Sequence, residues 1–199
     1  MHRADCCGCP KIKAILATRY VYSVKDLVRQ FKAHVWCILE ASNIAIYHAS
    51  ISHLESLDVL QTQFLRDIGL TEETAFLEHN MAPLKLRRDI GALGLLHKIQ
   101  LGDAHPDFGN LFARKTCEFI ANTRHGRRRH GKQFEEIAGN SLFFRRSLFG
   151  AVRIYNVLPE CVVNASSVST FQQLLTKDAR SICQQGGTVW KNMYCCRHP

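Results

Sequence analysis

The run Met81-Ala82-Pro83-Leu84-Lys85-Leu86-Arg87-Arg88-Asp89-Ile90-Gly91-Ala92-Leu93-Gly94-Leu95-Leu96-His97-Lys98 decides the fold class of this chain. Proline is favoured in the first turn of a helix, where a backbone N–H would have no intrahelical partner. Pro83 therefore reads as a helix opening. Ile90, Leu93 and Leu96 follow at helical spacing, and Gly102 supplies a stop, giving a helix over 83–101. Arg87 and Arg88 fall in its first turns, where positive charge opposes the helix dipole. A compensating partner is expected, either a carboxylate (Asp89 or Glu78) or a phosphate. No residue of the run is catalytic by itself.

Upstream of this helix the same signals repeat. Ser23-x-x-Asp26 reads as a helix start, and Val24, Leu27, Val28, Phe31, Val35, Ile38 and Leu39 recur at helical period as far as about Tyr47. Ser52-x-x-Glu55 reads as a capping box for a helix carrying Leu54, Leu57, Leu60, Phe64, Leu65 and Ile68, which stops at Gly69. Thr71-Glu72-Glu73 caps a short helix ending near Asn80, with acids where the dipole favours them. Downstream the pattern weakens. His105-Pro106-Asp107 is a turn, Phe108, Leu111 and Phe112 suit one short helix, and Ser141 to Val157 fits helix or strand until Leu158-Pro159 ends it. The stretch Ser166–Ser169, with Ser169-x-x-Gln172 as a box, opens a last helix with Phe171, Leu174 and Leu175 inward.

The expected fold is mainly α: an irregular bundle of five or six helices with a basic loop and disordered termini. The segment 1–22 is expected to be poorly ordered, 23–182 to form one helical domain, and 183–199 to be a disordered tail. The residues expected inside are Leu57, Leu60, Phe64, Ile90, Leu93, Leu96 and Phe171. At 199 residues the chain is long enough to bury a core, with roughly 70% of the unfolded surface removed at this size.

Charge is the unusual part of the composition. The chain carries a formal +9 and a pI near 9.2, a balance that favours phosphate backbones or anionic surfaces. Between Arg114 and Arg146 stand nine cations: Arg114, Lys115, Arg124, Arg127, Arg128, Arg129, Lys132, Arg145 and Arg146. Three acids oppose them (Glu118, Glu135, Glu136), so this stretch holds +6 of the +9. Such concentration is what counterion release rewards at a nucleic-acid backbone. The other reading is a solvated loop that keeps the protein in solution. Phe143, Phe144 and Phe149 fit either base stacking or a core.

Four blocks carry a family likeness. The first is Lys32-Ala33-His34-Val35 with Leu39-Glu40 and Ile46-Tyr47-His48-Ala49. The second is Leu57 to Arg66, with Gln61-x-x-Phe64-Leu65-Arg66, and the third is 82–98 itself. The fourth runs Arg145-Arg146-Ser147 to Tyr155-Asn156-Val157-Leu158-Pro159, then Val162-Val163 and Ser167-Val168-x-x-Phe171. In order and spacing, over roughly 25–176, they resemble the part of non-LTR (LINE-like, jockey-type) retrotransposon polypeptides that follows the reverse transcriptase palm. Tyr155 stands where that family's closing block usually has Trp. The resemblance implies a non-catalytic C-terminal piece of an RNA-directed DNA polymerase, with a palm supplied by another part of the parent polypeptide.

The chemistry of such a polymerase is not in this sequence. Two metal ions about 4 Å apart need paired carboxylates, and the chain has no Asp-Asp pair. Pro106-Asp107 is not followed by the Asp/Glu-x-Lys of a nuclease, and the zinc-protease, serine-hydrolase and phosphate-loop motifs are missing. Cys6-x-x-Cys9 with Cys195, Cys196 and His198 holds enough soft ligands for one tetrahedral zinc, but only by joining the two ends, without the usual two-pair spacing. The expectation is thiol-rich ends, with no metal and no cofactor. His34, His48, His79 and His97 find no third ligand at useful spacing and read as structural.

No stretch approaches about 18 consecutive apolar residues and the N-terminus has no apolar h-region. The reading is therefore no membrane, no secretion, and reduced thiols among the nine cysteines of an intracellular protein, nuclear or cytoplasmic. The expected partner is the phosphate backbone of RNA or DNA, bound without sequence preference, and no small-molecule substrate. The alternative is a helical module that contacts protein only.

Overall fold

Apolar residues at helical spacing become helices in the computed structural model, which describes residues 8–40, 48–115, 130–137, 139 and 141–195. Among these residues no β-strand forms, only an isolated antiparallel bridge between Arg114 and Phe134. The mainly helical class follows. In chain order the helices are α1 (Gly8–Ala17), α2 (Val24–Phe31), a π-helical turn (Lys32–Trp36) continuing into α3 (Cys37–Leu39), α4 (Ile51–Asp67), α5 (Glu72–His79) and α6 (Leu84–Leu101). Then come α7 (Asp107–Leu111), α8 (Leu142–Arg145), α9 (Leu148–Asn156), α10 (Glu160–Val163), α11 (Val168–Gln184) and a 3-10 turn (Val189–Lys191). The additions to the five or six expected are mostly short pieces that present too few turns to show a period.

The chain divides into two compact units, Met1–Arg87 and Arg88–Pro199, where a single domain over 23–182 was expected. The boundary falls in the first turns of α6.

In the first unit, α1, α2, α4 and α5 bury one apolar cluster that includes Ile12, Ile15, Leu27, Phe31, Trp36 and Phe64, with Leu57 and Leu60 partly buried against it. Phe31 and Phe64 stack at 4.2 Å. Inside this unit lies a buried polar bridge. Trp36 Nε1 donates to Gln61 Oε1 (3.0 Å), and Gln61 Nε2 donates to the carbonyl of Ala82 (3.0 Å). Both ends of a buried amide are thus satisfied, as burial requires. Arg87 finds its carboxylate in Glu40, through both Nε and Nη2, and lies 4.0 Å over the Trp36 ring. The compensating acid for Arg87 is neither Asp89 nor Glu78, because the fold brings a residue distant in sequence to the helix start.

The segment before residue 23 was expected to be poorly ordered. Instead it carries α1, whose Ile12 and Ile15 are buried. Pro10 lies in the first turn, where it does no harm, and two apolar residues three apart are too short a stripe to read between lysines. Cys6 and Cys7 lie outside the described residues.

In the second unit, α6, α9 and α11 surround Leu93, Leu96, Tyr155, Phe171 and Leu175, all buried. Gly102 ends α6 with a φ of +86°, a left-handed conformation glycine adopts without strain. The tail from 183 was expected to be disordered. It continues α11 to Gln184 and then buries Trp190 and Tyr194, whose hydroxyl donates to the carbonyl of Leu175 (3.2 Å). Two large aromatics supply an apolar area that a reading of the Gly186-Gly187 break overlooks. Residues 196–199, with Cys196 and His198, lie outside the description.

Candidate nucleic-acid interface

Of the nine predicted phosphate contacts, Arg124, Arg127, Arg128 and Arg129 lie outside the described residues. The other five belong to the second unit and divide by what they touch. Arg114 Nη2 donates to the carbonyls of Ile99 (3.3 Å) and Gln100 (3.0 Å). These belong to the last turn of α6, where carbonyls have no intrahelical partner and positive charge is favoured. Lys132 Nζ donates to the carbonyl of Val163 (3.3 Å) at the end of α10. Lys115 and Arg145 are exposed. Arg146 is half-buried, and its Nε has no hydrogen-bond partner among the described residues.

The start of the basic segment is held beside residues 133–135. The Lys115 N–H donates to the carbonyl of Gln133 and the Glu135 N–H to that of Ala113, both at 2.9 Å, on either side of the Arg114–Phe134 bridge. Phe134 is fully buried. Its own backbone is clamped by one side chain: its N–H donates to Asn156 Oδ1 (3.0 Å) and its carbonyl accepts from Asn156 Nδ2 (2.9 Å). Asn156 here does what a neighbouring strand would do. Gln133 Nε2 returns a bond to the Asn156 carbonyl (3.1 Å).

Tyr155 extends this clamp inward. Its carbonyl accepts from His130 Nε2 (2.9 Å), and His130 Nδ1 accepts from the Lys132 N–H (3.2 Å). His97 on α6 is fully buried and stacks on Phe171 at 4.2 Å, its planes 5° from parallel. Its Nε2 lies 3.0 Å from the carbonyl of Ala165 and its Nδ1 3.1 Å from the Tyr155 hydroxyl. A carbonyl only accepts, so Nε2 of each histidine carries the proton. Nδ1 of His97 then accepts from Tyr155.

Burial lowers the His97 pKa, against the opposing effect of the Ala165 carbonyl, and nearby Lys132 lowers it further. Burial likewise lowers His130, opposed by the Tyr155 carbonyl and Glu160, and raises the Tyr155 phenol. All three are therefore neutral at pH 7. This network holds a loop base in place. It contains no activated nucleophile.

A row of aromatic rings carries Arg145 and Arg146 to the same neighbourhood. Phe112, two residues before Arg114, stacks on Phe149 (5.0 Å), and Phe149 meets Phe144 (5.3 Å) next to Arg145. Phe144 and Phe149 are half-buried and packed ring against ring. The side chain of Phe143 lies outside the described residues. The α8–α9 corner is tight: a Cβ on Gly150 would come within 2.2 Å of the Arg145 carbonyl.

Among the described residues no group of three metal-ligating side chains occurs, and no helix is long and apolar enough to cross a membrane. Cys37, Cys161 and Cys195 are not in disulfides. Comparisons with known protein families, curated proteins and solved structures find no match for this chain. Sequence reasoning missed His130, Gln133 and Phe134 as parts of the site. The available signal was the Tyr155-Asn156 pair: an asparagine inside an apolar helix end calls for a backbone partner.

Proposed function

We propose that this chain is a non-catalytic helical segment of a retroelement-type polymerase polypeptide, presenting the basic stretch 114–146 to the phosphate backbone of RNA or DNA without sequence preference. The observation that carries the reading is the clamp at 113–115 and 133–135. It pairs the two ends of the 114–135 part of that stretch, which carries seven cations against two acids, on a buried scaffold. Phosphate contacts position a protein without reading bases, and such contacts need a mounted row of cations more than a shaped pocket. The resemblance to the post-palm region supports the same view. Gln61, Phe64, His97, Tyr155, Asn156 and Phe171, all quoted for it, are packing and bridging residues here. They speak for a scaffold and not for a reaction centre.

The test is the salt dependence of binding to an RNA or DNA oligonucleotide. Neutralisation of about five phosphates gives a log–log slope of about −3.5 to −4.5, depending on strand state. Replacing Arg127, Arg128 and Arg129 together with Ala is expected to flatten it by roughly 2 to 3 units. An unchanged slope would mark the stretch as solvated and favour a module that contacts protein only.

A further inference from the structure

The first unit carries a second basic stretch, and this one has aromatics at a turn in its middle. Between Gly8 and Phe31 stand five cations, Lys11, Lys13, Arg19, Lys25 and Arg29, against one acid, Asp26, and Asp67 at the end of α4 also acts on the charge of Arg19. All five cations are exposed. Asp26 accepts from the Ser23 hydroxyl (2.5 Å) at the start of α2.

The turn between α1 and α2 is closed by bonds from the Val21 and Tyr22 N–H groups to the Thr18 carbonyl (2.9 and 3.2 Å). At its tip Tyr20 is 83% exposed, Val21 82% and Tyr22 47%. Arg19 Nη2 donates to the Tyr20 hydroxyl (2.6 Å), and its guanidinium lies 4.8 Å from the ring centroid. Tyr20, Val21 and Tyr22 together leave a contiguous apolar and aromatic area of this turn open to solvent.

We propose that this turn is a stacking site for single-stranded nucleic acid, with Tyr20 and Tyr22 receiving bases and the α1 and α2 cations receiving the phosphates. Two exposed rings on a closed turn, flanked by cations, are the elements of sequence-tolerant single-strand binding. Lys25 and Arg29 are four apart on α2 and so share one face. An anionic membrane fits less well. The apolar residues of both helices, Ile12, Ile15, Leu27, Val28 and Phe31, are in the core, and a helix lying in a lipid interface needs that face free. The site uses none of the residues of the 114–146 stretch, so it stands or falls separately from the function proposed above.

The experiment is fluorescence anisotropy of the full chain with an oligothymidylate of about 15 nucleotides and with a duplex of equal length. Tyr20→Ala with Tyr22→Ala is expected to weaken single-strand binding about tenfold or more, to leave duplex binding within about twofold, and to keep the salt slope, since no charge changes. Tyr20→Phe with Tyr22→Phe is expected to restore the affinity, because the phenyl ring still stacks. Lys25→Gln with Arg29→Gln is expected to flatten the slope by about 1 to 1.5 units on the single strand. Equal losses on single strand and duplex would overturn the proposal, as would no loss in the alanine pair. So would a loss confined to sedimentation with vesicles of phosphatidylserine, which would make the turn a membrane contact. In each of these cases the Arg127, Arg128 and Arg129 variant still reports on the basic stretch.

Discussion

The two units solve the same problem by different means. Each buries polar groups among helices. The first does so between helix side chains and one chain carbonyl, through Trp36, Gln61 and Ala82. The second uses its polar residues on backbone outside helices and at a helix end: Asn156 clamps Phe134, His97 reaches the Ala165 carbonyl and His130 reaches the Tyr155 carbonyl in the last turn of α9. Irregular backbone carries N–H and C=O groups that burial would leave unpaired. Side chains must supply the missing partners wherever a helix does not. The second unit is therefore the one in which single polar substitutions should have local, non-helical consequences.

The largest effects should come from the aromatic centres, and they should be similar in the two units. Phe64→Ala and Phe171→Ala are each expected to destabilise by about 3–5 kcal/mol, measured by denaturant unfolding. A much smaller value at Phe171 would show that His97 repacks freely once its stacking partner is removed.

The next pair breaks the comparison where it is sharpest. Asn156→Ala leaves the N–H and carbonyl of Phe134 buried without a partner, at about 1–3 kcal/mol for each group. Hydrogen exchange should rise at 113–115 and 133–135 while the helices stay protected. Gln61→Ala also strands two groups, on Trp36 and Ala82, at a similar cost, but exchange should rise in helix residues around α2 and α4. Identical exchange patterns in the two variants would erase the distinction between the units.

This contrast also explains what could be read in advance. Ser23 accepts from the Asp26 N–H and Thr71 from the Thr74 N–H, as their spacing indicated. Where several serines compete, the choice slipped by two residues: α4 is capped by Ser50 in place of Ser52, and α11 by Ser167 in place of Ser169. Capping depends on local chemistry and survives in one sequence. The clamp on Phe134 joins residues 22 apart through one side chain, and no periodicity records that. The same holds for Arg87 and Glu40, and for the cations. Arg114 and Lys132 count toward the basic surplus, yet in the fold they close helix ends.

A change of pH should also separate the units, by a smaller margin. His97 and His130 have pKa values lowered in the folded state, so the unfolded chain binds more protons as pH falls. Their contribution is complete above the ordinary histidine value of about 6.5 and is lost as pH drops below it toward the folded-state values. Thermal melts between pH 8 and pH 5 should show this loss in the native chain and a reduced loss in His97→Gln. A stability that rises on acidification would contradict neutral, buried imidazoles.

The smallest effect is expected at Arg87→Ala. Its ion pair with Glu40 is partly open to solvent, with the arginine side chain 35% exposed. Such pairs contribute about 1 kcal/mol or less. The contact with Trp36 adds about 0.5–1 kcal/mol. A loss well above their sum would mean that Glu40 is left buried and charged.

The clamp at 113–115 and 133–135 has a consequence for how this protein can vary. Closing a chain between fixed ends costs free energy that grows only with the logarithm of its length, about 0.6 kcal/mol for each doubling. The anchors are set by Asn156, by backbone bonds and by the side chains of His130 and Lys132, and none of these bonds involves residues 116–129. The stretch they bracket is thus an exchangeable cassette. Changes in length or in arginine number within 116–129 are therefore expected to leave the frame at 113–115 and 133–135 intact.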